Sequence, residues 1–204
     1  MNRLETLAIN SPPRRWLQRT EARWLRKLGG TLEGARALEI GAGSGHGTRL
    51  ILDVFGAQHV DAVDLDPAMV ARARRTLADR GPAVRVEEGS ATDLRAALGE
   101  DAAGDASYDA VFDFAIIHHV PDWRDAVGEV ARVLRPGGRF FFDEVTAAAL
   151  DTRVYRRLFD HPREDRFTAD QFEDELARAG LDVAGRSRTV LRGHYVLGVA
   201  TRLG

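Results

Sequence analysis

The sequence predicts an α/β fold: a seven-stranded, mostly parallel sheet, doubly wound with helices on both faces and finished by a C-terminal antiparallel hairpin. Three observations predict it. Short apolar runs alternate with helically periodic segments between residues 35 and 145, the pattern of parallel strands joined by right-handed crossovers. The first run ends in Gly41-Ala42-Gly43-Ser44-Gly45-His46-Gly47, a stretch suited to a tight passage from strand to helix. The last two runs are separated by Arg192-Gly193-His194, short enough for a hairpin. With 204 residues, 44% apolar and 29% charged, the chain fits one domain with a real core.

The elements follow in order. Pro12-Pro13 can open a helix from about Arg14 to Leu28, with Trp16, Leu17, Trp24, Leu25 and Leu28 as an apolar stripe and Gly29-Gly30 as its end. Ala35 to Ile40 reads as a buried parallel strand, and Thr48 to Phe55 as the helix after the glycine loop. Val60 to Leu65 is the second strand. Pro67 to Arg80 is the next helix, with Asp66 as N-cap and Pro67 at the first helical position. Val84 to Glu88 is the third strand, Asp93 to Leu98 a short helix, and Gly99 to Ser107 a polar loop. Ala110 to Phe114 is the fourth strand, Trp123 to Leu134 a helix, and Pro136-Gly137-Gly138 a turn before the fifth strand, Arg139 to Val145. Thr168 caps a helix to Ala179 that Gly180 closes. Leu181 to Leu191 and Tyr195 to Thr201 are the hairpin strands.

Composition limits the function classes. The formal net charge of -2 offers no global attraction to nucleic acid or a membrane surface, and Arg14-Arg15 and Arg72 to Arg75 read as solvated helix faces. There is no cysteine, which excludes disulfides, thiolate nucleophiles and Cys-ligated zinc. No run of about 18 apolar residues is present, and the N-terminal stretch lacks an apolar signal core. The expectation is a cytoplasmic protein with no nucleic acid partner, no integral membrane association and no metal-ligand set.

In such a sheet, ligands bind at the carboxyl ends of the strands. The glycine loop lets a ligand approach the backbone, and the helix after it presents free N–H groups. A dinucleotide fingerprint G-x-G-x-x-G counted from Gly41 places its third glycine on His46, so that pattern fails. Asp64 ends the second strand 23 residues after Gly41, a position suited to a carboxylate that accepts from ribose hydroxyls. Asp66 is the competing carboxylate, and the proline behind it assigns it to capping.

Four segments in register carry a resemblance: LEIGAGSG, AVDLDPAMVARAR, VEEGSATDL and SYDAVFDFAIIHHVPDWRDAVGEVARVLRPGGRFFFDE. Together they resemble the class I S-adenosylmethionine (SAM)-dependent methyltransferases, in particular the compact UbiE-like group, over about residues 35 to 145. The resemblance implies a Rossmann-like domain over residues 31–204, with residues 1–30 as an N-terminal helical lid segment. It implies transfer of a methyl group from SAM to a small-molecule acceptor. Glu39, Gly41, Ala42 and Gly43 would lie under the methionine part. Asp64 would hold the ribose, and Leu65 the adenine. Ser90, Ala91 and Thr92 would lie at the adenine edge, with Ser90 standing where the family often has an aspartate. Phe114, Ala115 and His119 would flank the methionine part and the methyl donor.

Transfer from a sulfonium is an in-line displacement, for which orientation alone supplies about 7–11 kcal/mol. A base is needed only where the acceptor must lose a proton. His118 and Glu144 are the catalytic candidates; Tyr155 and His161 belong to an insert that shapes the acceptor pocket in this fold, and Asp113 reads as structural. Trp16 and Trp24, eight residues apart, read as one face of the N-terminal helix. That face either packs on the domain or covers the acceptor pocket with Asn10 and Arg14 near its hinge. Removal of residues 1–28 is expected to cost transfer or acceptor binding more than stability. The alternatives left open are a non-catalytic SAM-binding or regulatory protein and an NAD(P)-dependent oxidoreductase.

Overall fold

A computed structural model of the chain describes residues 12–152 and 165–204. Its elements are α1 (Pro12–Gly29), β1 (Arg36–Ile40), α2 (His46–Leu50) continued by a π-helical turn (Ile51–Phe55), β2 (His59–Asp64), α3 (Pro67–Thr76), β3 (Val84–Glu88), α4 (Leu94–Leu98), α5 (Glu100–Ala103), β4 (Tyr108–Phe114), α6 (Trp123–Val133), β5 (Leu134–Val145), α7 (Ala147–Leu150), α8 (Ala169–Arg178), β6 (Leu181–Asp182), β7 (Ser187–Val190) and β8 (Tyr195–Arg202). The sheet runs β3-β2-β1-β4-β5-β8-β6, and β7 pairs with β8. The first five strands are parallel, and β8 is antiparallel to β5, β6 and β7. The predicted architecture is therefore present, with one strand more than expected.

The extra strand comes from Leu181 to Leu191, which reads as one strand in the sequence. It breaks into β6 and β7 because Ala184 and Gly185 turn left-handed, with φ of 45° and 71°, and Arg186 N–H closes the turn on the Val183 carbonyl at 2.8 Å.

The strands bury both faces. Phe140 and Phe142 join Leu38, Ile40 and Val111 beneath α6 and α8. Phe141 points the other way and joins Phe55 and Phe112 beneath α1 and α2. Phe112 and Phe141 stack at 4.6 Å, and Phe55 meets both rings edge-on. Three consecutive phenylalanines thus serve two cores, because successive strand residues face opposite sides.

Helix α1 corrects two expectations. Residues eight apart on a helix differ by roughly 80° around its axis. Trp16 accordingly stands in solvent at 72% exposure, whereas Trp24 packs on the second core beneath the Arg188 guanidinium. The inward stripe is Ala22 and Leu25, both fully buried. At Gly29 a Cβ would stand 2.3 Å from the Phe141 ring, so the helix end lies directly on β5. The second half of α1 is core, and removing it exposes that core.

Leu25→Ala leaves a cavity between α1 and the sheet. It should lower the unfolding free energy by about 2–5 kcal/mol in chemical denaturation, where a loss under about 1 kcal/mol would show that α1 is not an integral part of the core.

Candidate functional site

The strand order reverses between β1 and β4, so the chain leaves these neighbours toward opposite faces and opens a crevice at their carboxyl ends. Every site residue predicted from sequence and described by the structure lies on or beside this edge. Tyr155, His161 and Asn10 lie outside the described residues.

On the β1 side, Gly41 and Ala42 donate backbone N–H groups to the Val63 carbonyl, both at 2.8 Å. Gly41 has φ of 75°, and a Cβ there would stand 2.5 Å from Ile116 of the loop after β4. Only glycine lets the two loops pass this closely. Gly43 N–H donates to Asp64 Oδ2 at 2.7 Å, and the other oxygen of Asp64 accepts from Asp66 N–H at 2.9 Å. Burial raises the Asp64 carboxyl above its ordinary range, opposed by these two N–H groups. Asp66 caps α3 through Ala68 N–H at 2.8 Å, the division of labour that the spacing predicts.

Glu39 points away from solvent, under the first turn of α2. Its Oε2 accepts from the Thr48 hydroxyl, and a Cβ at Gly47 would overlap its Oε1. Burial pushes Glu39 up to about 8, against the Thr48 hydrogen bond. It thus supports the glycine loop from below. Thr48 and Gly47 are site residues that the sequence reading missed.

On the far side of β2, Leu65 is 73% exposed at the edge. Ser90 and Thr92 close a local turn, with their hydroxyls 2.7 Å apart and Thr92 N–H donating to Ser90 Oγ at 3.1 Å; Ala91 is buried between them.

Beyond β4, Phe114 stacks on Phe112 at 5.7 Å. Ala115 takes a left-handed conformation, φ 65°, a strained turn for a residue with a Cβ. The 3₁₀ turn Ile117–His119 follows. Here the two catalytic candidates meet: His118 Nδ1 lies 2.7 Å from Glu144 Oε2. Glu144 also accepts from the backbone N–H groups of Ile117, His118 and Val145 at 2.7, 3.3 and 3.0 Å. A carboxylate can only accept, so Nδ1 carries the proton and Nε2 is the basic nitrogen. Burial holds His118 neutral, down to about 3, and pushes Glu144 up to about 7 against its hydrogen bonds. Asp113 accepts from Ile116 N–H at 2.9 Å through Oδ1. Its Oδ2 meets no hydrogen-bond donor among the described residues. Burial, then Glu144, raises Asp113 well above the carboxylate range. His119 stacks against His118 at 4.2 Å. Asp113 is fully buried and fastens the turn after β4 through Ile116 N–H.

The comparisons agree with this geometry. Residues 37–138 match a family described as "Methyltransferase domain". The chain belongs to the class I SAM-dependent methyltransferases. It is 39% identical over 125 residues to a Mycolicibacterium smegmatis protein named "Probable S-adenosylmethionine-dependent methyltransferase", covering 61% of this chain and 43% of that one. It is 33% identical over 119 residues to the ubiquinone biosynthesis O-methyltransferase of Xylella fastidiosa, covering 56% and 44%. The chain spans about half the length of the curated relatives it matches. A SAM-dependent methyltransferase structure from Aquifex aeolicus shares the fold at a TM-score of 0.71 and 21% identity, covering 98% of both chains. The site fits the cofactor of this family. A Cβ at Gly43 would meet open space, leaving a bare backbone surface. A half-buried carboxylate and an exposed apolar side chain stand beside it at Asp64 and Leu65. Among the described residues, no helix is long and apolar enough to cross a membrane.

Glu39 makes stability pH-dependent. Its folded pKa lies above the ordinary 4.5, so its contribution is lost as pH rises from that value to about 8 and is constant above. Glu39→Gln cannot ionise. In urea denaturation it should match the parent near about pH 5 and exceed it by about 3 kcal/mol near about pH 8; an equal difference at both pH values would refute the assignment.

Proposed function

We propose that the domain transfers a methyl group from SAM to a proton-bearing group of a small-molecule acceptor, in the manner of the compact UbiE-like methyltransferases. The observation that carries this reading is the 2.7 Å contact of Gly43 N–H with Asp64. It brings the glycine loop and a half-buried carboxylate together at the switch point of the sheet, which supports a site for the amino-acid end and the ribose. SAM, when bound, supplies a methyl already activated by its sulfonium.

The residues of this chain do the rest. Gly41, Ala42 and Gly43 border the amino-acid end, with Glu39 bracing their loop from below, and Asp64 exchanges its N–H partners for ribose hydroxyls. Leu65 covers one face of the adenine, and Ser90, Ala91 and Thr92 border its edge with neutral groups. Phe114, Ala115 and His119 line the path between cofactor and acceptor. His118 takes the acceptor proton on Nε2, and Glu144 fixes its tautomer and orientation. The 2.7 Å contact of His118 Nδ1 with Glu144 supports that role, and the name of the Xylella relative supports an oxygen acceptor. We also propose that the part of α1 before Ala22 covers the acceptor side.

Calorimetry with S-adenosylhomocysteine should detect binding to the parent and a loss of about tenfold or more in Asp64→Ala; unchanged affinity would remove Asp64 from the site. In a product assay over hydroxyl-bearing small molecules, His118→Ala should keep cofactor affinity and lose about 10²–10⁴ in kcat. Cofactor binding with no methylated product from the parent would leave a binding protein in place of an enzyme.

A further inference from the structure

Between the turn after β4, the start of α6 and the end of β5 lies a recess, and His118 is one of its walls. Its floor is buried and consists of Ile117, His118, Trp123, Val145, Leu150 and Phe167. Its rim is formed by half-buried Val120 and Arg166 and exposed Asp165. The space measures about 10 Å³, room for one water-sized group. Apart from His118 and the indole N–H of Trp123, the floor is apolar.

Trp123 sets the chemistry of this floor. Its ring is fixed by the Phe167 ring at 4.8 Å and the Arg124 guanidinium at 4.3 Å. Its Nε1 is buried and meets no hydrogen-bond acceptor among the described residues. An indole N–H can only donate, and a buried donor left without a partner is costly. A phenylalanine would keep the ring contacts without that cost, so the tryptophan points to an occupant that accepts. The charges around the recess are already matched. Asp165 accepts from Arg124 on both oxygens, at 2.8 and 2.7 Å, Arg166 donates to Asp151 at 2.6 Å, and His118 Nδ1 faces Glu144 at 2.7 Å. An ion entering here would bring a charge that nothing balances, onto a floor that cannot solvate it.

We propose that the recess is a subsite for a neutral oxygen of the acceptor, a carbonyl or an ether, which receives the Trp123 N–H while the carbon attached to it leaves past Val120. The acceptor is thereby narrowed to molecules that carry an uncharged, hydrogen-bond-accepting oxygen next to apolar carbon at the end that enters here. Carboxylates and ammonium groups are turned away at this end. Trp123 is a specificity-determining residue in this arrangement and takes no part in moving a proton. That the occupant is the methyl acceptor rests on the proposed methyl transfer, with His118 as the shared wall; binding in the recess does not.

Nuclear magnetic resonance of the nitrogen-labelled full chain tests this with acetone as the probe and acetate as its charged isostere. The three tryptophans give three indole lines, assigned through the backbone. Acetone should move the Trp123 line downfield and saturate, while the line of exposed Trp16 should not saturate. Acetate should bind at least about tenfold more weakly. In Trp123→Phe, acetone affinity read on the Ile117 and Val120 amide lines should fall about fivefold. No saturable shift in the parent, acetate bound as tightly as acetone, or unchanged acetone affinity in Trp123→Phe would overturn the proposal. If Trp123→Phe fails to fold, Val120→Phe at the half-buried rim decides: loss of the Trp123 response supports the subsite, and a retained response overturns it. Calorimetry with S-adenosylhomocysteine keeps the two readings apart. Trp123→Phe should leave cofactor affinity unchanged, and a parent that binds acetone in the recess but no S-adenosylhomocysteine would keep the subsite and lose the methyl-transfer reading.

Discussion

The site depends on one close approach, Gly41 against Ile116. β1 and β4 are neighbours in space, and the helices that follow them leave on opposite faces. Their loops must therefore cross at the carboxyl edge, and a single Cβ at residue 41 would fall 2.5 Å from the isoleucine. From this crossing the chain diverges. On one side Gly43 turns to Asp64. On the other, Ile117 and His118 turn to Glu144. The cofactor half and the acceptor half are two consequences of the same packing constraint, which explains why the glycine cannot be exchanged even though it bears no functional group.

That edge gathers acids that the fold must neutralise. Glu39, Asp113, Asp143 and Glu144 are all buried, and an unpaired buried carboxylate is costly. Each is satisfied differently. Glu39 uses a threonine hydroxyl, and Glu144 uses three backbone N–H groups and an imidazole. Burial raises Asp113 and Asp143 well above the carboxylate range, which favours their neutral forms. Of the four, Glu144 has donors enough to bear a charge, so it is the one that can fix a histidine tautomer. Perturbed acids concentrated at one strand edge are a common mark of a functional site, and here their number also makes the edge the pH-sensitive part of the domain.

The legible parts of the fold were those with local causes. Three consecutive phenylalanines announce a strand buried on both faces, and Asp66-Pro67 announces a helix start. The glycine loop and Asp64 were readable because each acts through its own backbone or strand position. What escaped was set by distant contacts or unmarked dihedrals. Nothing in Val183-Ala184-Gly185 distinguishes a continuing strand from a left-handed turn until Arg186 closes on Val183. The inward face of α1 is set by the sheet beneath it, so counting tryptophans misjudged it. Gly29 and Phe141 are far apart in the chain, and only the packing of α1 on β5 brings them together. His118 and Glu144 were each visible as strand-edge candidates, but their 2.7 Å contact was not.

The same distinction bears on specificity. In the proposed reading, Gly43 and Asp64 serve a cofactor common to the family through backbone and one carboxylate, and such contacts carry no information about the acceptor. Selection has to lie across the Gly41–Ile116 crossing, where Phe114 ends β4, Ala115 turns left-handed and His118 meets Glu144 of β5. These are side chains from separate elements, held by tertiary packing. They can change one at a time without disturbing the glycine loop, because Glu39 and Thr48 brace that loop from within its own half. A fold divided in this way can keep its methyl donor fixed while the acceptor varies.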